Sequence, residues 1–352
     1  GLNRWTWIFS HILADQKFMT LFSLLFGASI LLITDKLEQK GSSGIAVHYK
    51  RNFWLLVIGL LHAYLVWYGD ILAPYAFCAF LVYPFRRLSI KSLMVLGLVF
   101  FSISSFLEII SGVPLLNAPV EVIQNISGGW APKAMYIQGE IKAYQGGFLS
   151  QTVQRMHTAK MMQTTYFIGH IFWRVFGLML MGMSLFKSGF LTGKWENHKY
   201  IKLLIWIGTP SFVLVASGVL FNFSHNWELR YSMFLGSQFN YWGSFGMAIA
   251  YASIVALICK GNAVRWVINR LAAVGRMALT NYLLQSLIMA GIFYGFGLFG
   301  KLERSHQLVV VLFIWTTQLL YSPVWLKHFN YGPFEWIWRS LTQGKIEAFR
   351  KS

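Results

Sequence analysis

Residues 91–111, KSLMVLGLVFFSISSFLEIIS, decide the class of fold of this 352-residue chain. The stretch is continuously apolar, and Lys91 and Glu108 are its only charged residues. A helix needs about 20 apolar residues to cross the hydrocarbon core of a bilayer, which is about 30 Å thick. An uninterrupted apolar run favours a helix over a barrel strand, whose residues alternate with a period of two. The stretch therefore predicts a transmembrane helix.

Eight further runs share this character: 17–34, 52–68, 71–85, 166–186, 201–222, 240–259, 278–298 and 307–326. Only Gly69-Asp70 separates the two short runs, 52–68 and 71–85, so we expect them to form a tight helical hairpin. The chain is 56% hydrophobic and 12% charged, whereas soluble domains carry about 25% charged residues. The sequence thus predicts an all-α, polytopic helical membrane protein with nine transmembrane helices, and it excludes a soluble enzyme.

Lysine and arginine are distributed unevenly over the connections between these runs. If all nine runs cross the membrane, 20 Lys and Arg residues lie in connections on one face. The short connections on the opposite face hold three. The connections rich in lysine and arginine, here called the basic segments, are 35–51, 86–91, 187–202, 260–276 and the tail from Lys327. Because short basic loops stay in the cytoplasm, we expect this face and the C-terminus to be cytoplasmic. The net charge of +18 then reflects orientation in the lipid bilayer, not a nucleic-acid partner.

This topology divides the chain into three parts. Residues 1–111 hold four spans, residues 112–165 form an outer-face loop region, and residues 166–352 hold five spans and an interfacial cytoplasmic tail. Within the loop region, 133–144 and 150–163 are predicted to be short amphipathic helices at the outer surface. Residue 1 lies outside in this arrangement, so a full-length chain with a cytoplasmic N-terminus is expected to carry a tenth span upstream.

Arg174 is a charged residue in the middle of the fifth predicted span. A charge at this depth costs several kcal/mol unless it is paired, so it is a functional candidate by default. His170 and Tyr166 precede it by four and eight residues and share its helix face. We expect Arg174 to face protein, with its charge held by a polar partner on the eighth or ninth span. The alternative is a purely structural arginine bonded to backbone carbonyls and a neighbouring amide.

His62 and Asp70 are the second candidate pair. Counting from Arg51, His62 lies near mid-depth, and an imidazole there is suited to act as a general base. Asp70 follows eight residues later at the outer mouth, which is about 12 Å along a helix. That spacing is too long for a direct pair unless the hairpin folds back. The alternative for His62 is a hydrogen bond between helices.

Amide side chains mark the last two predicted spans. Asn281 and Gln285 share a face at i, i+4 spacing, Gln318 lies at similar depth, and Arg276 stands at the cytoplasmic entrance. Single amides of this kind often only hold helices together. Five residues of comparable depth are predicted to line one hydrated cavity: His62, Arg174, Asn281, Gln285 and Gln318.

Four segments, in this order, resemble YeiB-type bacterial membrane proteins over nearly the whole chain. They are Phe18–Gly27, Gly59–His62 with Gly69–Tyr75, Gly275–Ser286, and Gly332–Thr342. The last two resemble the family's C-terminal domain of unknown function. The family is similar in organisation to the transmembrane acyltransferase superfamily. The resemblance implies a bacterial inner-membrane protein that moves an acyl group from cytoplasmic acyl-CoA to a small-molecule or envelope-glycan acceptor at the outer face.

If the protein is an acyltransferase, acyl-CoA is a co-substrate, and we expect neither a tightly bound cofactor nor a metal. Arg276 would dock the donor's phosphates at the cytoplasmic mouth. A ladder of Asn281, Tyr282 and Gln285, with Gln318 beside it, would follow the pantetheine arm. His62 would be the base near the thioester, with Arg174 and His170 as further catalytic candidates and Asp70 and Tyr75 closer to the acceptor.

Two other functions fit the same residues. A small-solute transporter or permease would use the polar cavity as a pathway, and a non-catalytic membrane protein would use each polar residue only for packing. Acyl-CoA retained by the purified protein would favour the enzyme. Solute flux without any acyl donor would favour the transporter.

Overall fold

The structure is a computed structural model that describes residues 1–261 and 264–351. Residues 262–263, in the fourth basic segment, and the last residue of the predicted C-terminal domain lie outside the described residues. The first half contains α1 (Leu2–Leu13), α2 (Lys17–Gln39), α3 (Gly44–Leu65), α4 (Leu72–Val82) and α5 (Ile90–Gly112). The connection that follows carries α6 (Val120–Ile126) and α7 (Ala134–Gln145). The described residues form helices and turns without a β-strand.

The second half begins with α8 (Phe148–Met161), which continues through a π-helical stretch, Met162–Ile171, into α9 (Phe172–Lys187). The remaining helices are α10 (Asn197–Leu203), α11 (Thr209–Ser224), α12 (Leu229–Ser232), α13 (Ser237–Lys260), α14 (Arg265–Arg276), α15 (Ala278–Ala290), α16 (Arg304–His328) and α17 (Pro333–Gln343). A second π-helical stretch, Gly291–Gly295, prolongs α15.

The polytopic helical class is confirmed, but the count of nine spans is not. Six helical segments of the described chain are long and apolar enough to cross a membrane, or up to seven if the bent pair α14–α15 counts as one span. The axes of that pair differ by 77°. The α3–α4 hairpin accounts for much of the difference between the nine predicted spans and the six or seven segments that are long and apolar enough. With 11 residues, α4 is only about 16 Å long, and the first half of α3 carries His48, Lys50 and Asn52.

One expectation about the outer region needs correction. The segment 150–163 is not a separate surface helix, because α8 runs without a break into α9 over 40 residues. The 12 residues of α1, which no predicted span covered, lead almost directly into α2. Gln16, with φ 65°, marks the junction between them. The helix predicted at 133–144 is confirmed as α7.

The centre of the molecule is the crossing of α2 and α9, which depends on two glycines. A Cβ at Gly27 would lie 2.0 Å from the carbonyl oxygen of Met179, and a Cβ at Gly182 would lie 2.0 Å from that of Leu24. Only glycine allows backbones to approach this closely. α9 is consequently buried along its length, and Arg174 in its first turn cannot reach lipid.

The basic segments meet at one end of the bundle. Four contacts join them: Arg86 to Glu38 at 2.9 Å, Lys187 Nζ to the Leu88 carbonyl at 2.7 Å, Lys260 to the Trp195 carbonyl, and Trp338 Nε1 to the Arg51 carbonyl at 2.8 Å. Two contacts at the other end join the 112–165 region to connections poor in lysine and arginine: Trp130 to Trp227 and Gln145 to Phe299. A third, Arg155 to Tyr64, joins the region to the last turn of α3. The grouping of connections that the charge pattern predicts is therefore present in the structure.

The C-terminal segment Gly332–Glu335 has a defined structural role at the basic end. Glu335, in the first turn of α17, accepts hydrogen bonds from the backbone N–H and the hydroxyl of Thr280, at 3.0 and 2.5 Å. A carboxylate at a helix N-terminus satisfies donors that the helix leaves free. α17, which lies in the predicted interfacial tail, thus caps α15, the helix that carries Asn281 and Tyr282.

Candidate functional site

The α3–α4 hairpin folds back on itself and brings His62 against Asp70. His62 lies in the last turn of α3, where its carbonyl accepts the backbone N–H of Val66. Its Nδ1 is 2.8 Å from Oδ1 of Asp70, and the two side chains are only 2% and 0% exposed. The direct pair that the helical spacing argued against is therefore formed, because the chain turns between the two residues.

Three further groups position the Asp70 carboxylate. The backbone N–H of Ala73 donates to Oδ2 at 2.8 Å, and the Tyr282 hydroxyl donates to Oδ1 at 3.3 Å. Gly59, three residues before His62, provides the space. A Cβ there would lie 2.4 Å from the Ala73 nitrogen and 2.9 Å from Asp70 Oδ2. The absence of a side chain at position 59 thus lets α4 and the carboxylate approach α3.

The remaining ring nitrogen of His62 is free. Nε2 is buried and has no hydrogen-bond partner among the described residues, although buried polar atoms are nearly always bonded. A carboxylate on Nδ1 stabilises the tautomer that carries its proton there, which leaves Nε2 as a proton acceptor. The Tyr282 ring lies 5.1 Å from the imidazole. His62, Asp70 and Tyr282 form what we call the hairpin dyad site, and its chemistry is that of an oriented base.

Arg174 faces protein, as expected, but its partners are not on the predicted helices. Its guanidinium donates to Gln16 Oε1 at 2.6 Å, to the Thr20 hydroxyl at 3.0 Å and to the Ser244 hydroxyl at 2.8 Å. These residues belong to the α1–α2 junction, α2 and α13, so the prediction of a partner on the eighth or ninth span was wrong. The guanidinium also lies 4.6 Å from the centre of the Tyr241 ring. Arg174 is 0% exposed, and every hydrogen-bond partner in the described chain is neutral.

A second buried cation extends this arginine cluster. Lys17, at 0% exposure, donates to the His11 carbonyl at 2.6 Å and to the side chain of Asn240. Among the described residues, Arg174 Nε and Asn240 Nδ2 remain buried without acceptors. The cluster therefore holds two cations with neutral partners and has donors to spare.

His170 also lies beside the Tyr241 ring, at 5.9 Å, and it joins a carboxylate. Its Nδ1 is 2.6 Å from Glu108 and 2.9 Å from the Ser104 hydroxyl, and its ring stacks on Tyr166 at 5.2 Å. Glu108 also accepts from the side chain of Gln238 at 2.6 Å. The stacking of Tyr166 on His170 agrees with the predicted shared face. With Arg174 that face meets α5, α2 and α13.

The amides form a third group, between α15 and α16. Gln285 donates to Gln318 at 2.8 Å, and Gln318 donates to the Asn281 carbonyl at 3.1 Å. Asn281 also accepts from Tyr321 and donates to the Val274 carbonyl at 3.1 Å. Here the amides hold helices together. In the described chain, the hydrogen bonds of His62, Arg174 and the three amides fall into three separate groups, and the single hydrated cavity stays a prediction.

The structure also changes the predicted roles of Arg276 and Tyr75. Arg276 is exposed at the end of α14, and the 77° bend separates it from Asn281 and Gln285, so the three do not form a ladder on one helix. The Tyr75 hydroxyl donates to the Met19 carbonyl at 2.9 Å and accepts from Ser23 at 2.9 Å. Tyr75 therefore packs on α2 and is not joined to Asp70.

Sequence reasoning missed a buried arginine near the hairpin. Arg155, 2% exposed, donates from Nε to the Tyr64 carbonyl at 3.0 Å, two residues after His62. Nearby, Tyr144 and Tyr294 stack at 4.8 Å, and burial raises the pKa of Tyr144 to about 12. The signal was weak because 150–163 is an amphipathic stretch in which a basic residue is expected to face water. Lys17 was missed because it begins an apolar run.

Comparison with known proteins now places the chain. YeiB of Escherichia coli (strain K12), described as an uncharacterized protein, is 32% identical over 350 residues, which cover 97% of this chain and 85% of YeiB. The chain belongs to the YeiB family. YxaH of Bacillus subtilis (strain 168) is 28% identical over 340 residues, 93% of this chain and 79% of YxaH.

The YeiB-family assignment has a further basis in the C-terminal half. Residues 185–345 match the family described as "Protein of unknown function (DUF418)". That match includes α15 and α17, and hence Tyr282 of the hairpin dyad site and the Glu335–Thr280 cap. No solved structure matches the chain. The resemblance to YeiB-type proteins is thus confirmed.

Proposed function

We propose that this YeiB-family protein is a membrane-embedded acyltransferase whose general base is His62. The observation that supports this function is the free, buried Nε2 of an imidazole whose Nδ1 is held by Asp70 at 2.8 Å. A base oriented in this way contributes about 10²–10⁴-fold to a proton-transfer step. Neither the arginine cluster nor the amide group contains a free proton acceptor of this kind among the described residues.

The proposed reaction uses acyl-CoA and a hydroxyl-bearing acceptor. Nε2 takes the hydroxyl proton while the acceptor oxygen attacks the thioester carbonyl, and the new C–O ester bond forms. The C–S bond then breaks, and the CoA thiolate leaves with the proton that the imidazolium returns. Asp70 orients the ring and stabilises the imidazolium, as in other histidine–aspartate pairs.

The gathered basic segments support docking of the donor at that end of the bundle. Acyl-CoA is made in the cytoplasm and carries several phosphates, so a cytoplasmic basic end would attract it. Arg276 is exposed there, at the α14–α15 bend. We propose that this end, with the C-terminus, faces the cytoplasm of a bacterial inner membrane, where the positive-inside rule places it.

The orientation is tested with single cysteines after Cys78 and Cys259 have been replaced by serine. Cysteine at Lys40 or Lys194 should be protected from an impermeant thiol reagent in intact cells, and cysteine at Gln145 or Glu228 should be labelled. All four positions are exposed. The reversed labelling pattern would place the basic end outside and remove the basis for donor docking.

The enzyme is tested by titrating radiolabelled acetyl-CoA into the intact, detergent-solubilised chain and by following the label into an envelope extract. Arg276→Ala should weaken binding, whereas Arg304→Ala, an exposed arginine on another helix, should not. His62→Gln should bind as tightly as the wild type and lose transfer by at least about 10²-fold. Absence of acetyl-CoA binding, or full transfer by His62→Gln, would reject the proposal.

A small-anion permease is the second candidate, and the buried cations Lys17 and Arg174 favour it. Two cations with neutral partners and two unsatisfied donors, Arg174 Nε and Asn240 Nδ2, would attract an anion passing through the bundle. Uptake of labelled anions into proteoliposomes without acyl donor distinguishes the two functions. Flux that Arg174→Gln abolishes and His62→Gln leaves unchanged would favour the permease.

A further inference from the structure

An apolar groove runs beside the hairpin dyad site. It encloses about 500 Å³, a size typical of small-molecule pockets. Its walls come from three parts of the chain, which are α3, α4 and the π-helical stretch with the start of α9. Leu56 and Leu60 line the first wall, Pro74 and Phe77 the second, and Phe167 the third. The groove is therefore a hydrophobic slot between the hairpin and the long α8–α9 helix.

One wall of the groove is the same backbone that holds the catalytic carboxylate. Ala73 lines the groove, and its N–H donates to Asp70 Oδ2 at 2.8 Å. Leu60 lines it from α3, next to Gly59, where a Cβ would lie 3.0 Å from the Ala73 α-carbon. A molecule lying in the groove would thus be separated from the dyad by a single layer of residues.

The other side of the groove is open. Phe77 is 43% exposed and Ile168 is 66% exposed, and both belong to helical segments that carry apolar surface outward. In a membrane-spanning bundle such surface meets lipid, so the groove opens sideways into the bilayer and not into water. A ligand that enters this way must itself be dissolved in the membrane.

A single polar group is left without a partner in the groove. Gln163 Nε2 is buried and has no acceptor among the described residues, whereas the adjacent Thr164 hydroxyl is satisfied by the Lys160 carbonyl at 2.7 Å. Both residues lie in the π-helical stretch. This form of helix is rare in proteins, and where it occurs it often marks a functional site. An unsatisfied donor in an apolar slot calls for one acceptor on the ligand.

We propose that the groove binds one fatty-acyl chain of a membrane lipid, with the lipid's ester carbonyl accepting a hydrogen bond from Gln163. The lipid's polar head would then lie at the hairpin dyad site and provide the hydroxyl that is acylated. The assignment of this lipid as the acceptor rests on the proposed acyl transfer. The binding of the ester-linked chain does not.

The test uses phosphatidylglycerol with a photoreactive diazirine in one fatty chain, in vesicles containing the intact protein. Crosslinked peptides should map to residues 72–82 and 162–173. Thr164→Trp fills the groove and should remove most of this crosslinking. Thr316→Trp is the matched control, because Thr316 is also an exposed threonine whose hydroxyl donates to a carbonyl four residues earlier, at 2.8 Å. Equal crosslinking in wild type and Thr164→Trp would overturn the proposal.

The carbonyl contact is tested by comparing ester-linked and ether-linked versions of the probe, since the ether lacks the acceptor oxygen. The wild type should prefer the ester by about fivefold, as expected for one hydrogen bond, and Gln163→Leu should lose the preference. Equal labelling by the two probes in the wild type would refute the Gln163 contact.

Two outcomes separate lipid binding in the groove from acyl transfer. Groove crosslinking retained in His62→Gln, with no transfer by the wild type or any variant, would support lipid binding and reject the acyltransferase. Transfer by the wild type without groove crosslinking would support the acyltransferase and reject lipid binding in the groove.

Discussion

The arginine cluster and the hairpin dyad site are both buried polar groups, but they differ in what they leave unsatisfied. Around Arg174 the free atoms are donors, and the guanidinium is already bonded to Gln16, Thr20 and Ser244. At the hairpin the free atom is an acceptor, Nε2 of His62. A cation bonded to several helices at once tends to fix them in place, whereas an oriented base with a vacant nitrogen can move a proton. Burial alone therefore does not identify a site of chemistry.

Arg174→Ala should give the largest loss of stability. The change leaves the side chains of Gln16, Thr20 and Ser244 without their charged donor and opens a cavity between α2, α9 and α13. We expect a cost of about 3 kcal/mol or more, measured as a fall in the melting temperature of the solubilised protein. Lys199→Ala, at an exposed position of the short helix α10, should change stability by less than about 0.5 kcal/mol. An equally stable Arg174→Ala variant would mean that the cluster does not hold these helices together.

Gly59→Ala should give the next largest effect, and it acts on the hairpin. The new Cβ would lie 2.4 Å from a backbone nitrogen of α4, so the helices must separate, at a cost of about 1–3 kcal/mol. The displacement of Asp70 should also lower transfer activity. Gly291→Ala is the control, since a Cβ there meets nothing within 4 Å, and it should be neutral or stabilising. Unchanged thermal stability of Gly59→Ala would show that the hairpin is looser than described.

Tyr282→Phe should give the smallest effect. Its hydroxyl makes two long hydrogen bonds, to Asp70 and from the Ile71 N–H, both at 3.3 Å, so the loss should be about 1 kcal/mol or less. Tyr294→Phe removes a buried hydroxyl that has no partner in the described chain and should be neutral or stabilising. If thermal denaturation showed Tyr282→Phe to be as damaging as Gly59→Ala, the tyrosine would hold Asp70 more firmly than these distances imply.

The hairpin shows how far the sequence reaches toward the site. His62 and Asp70 were both identifiable, because polar residues in apolar surroundings are rare. Their pairing was not, since eight residues of helix would separate them by about 12 Å and only the turn at 66–71 closes that distance. Gly59 was visible in the motif, but its contact with Ala73 depends on where α4 packs.

For Arg174 the sequence predicted the surroundings but not the hydrogen-bond partners. The sequence correctly placed it inside the protein, because lipid would not tolerate the charge. Its partners could not be predicted, since Gln16 and Ser244 lie 158 and 70 residues away in the chain. The amides were predicted more closely, because Asn281 and Gln285 share one helix face and α16 follows α15 in the chain.

The sequence by itself determined that this chain is a polytopic helical membrane protein and which connections share an end of the bundle. Hydropathy and basic charge are sums over local segments, so they need no knowledge of neighbours. The tertiary structure decided which polar groups meet. Helices that are apolar on most faces carry little periodicity to indicate which face turns toward a neighbour. Close contacts at Gly27, Gly59 and Gly182 fix how the helices cross. Only these crossings bring Arg174 against α2 and α13, and His62 against Asp70.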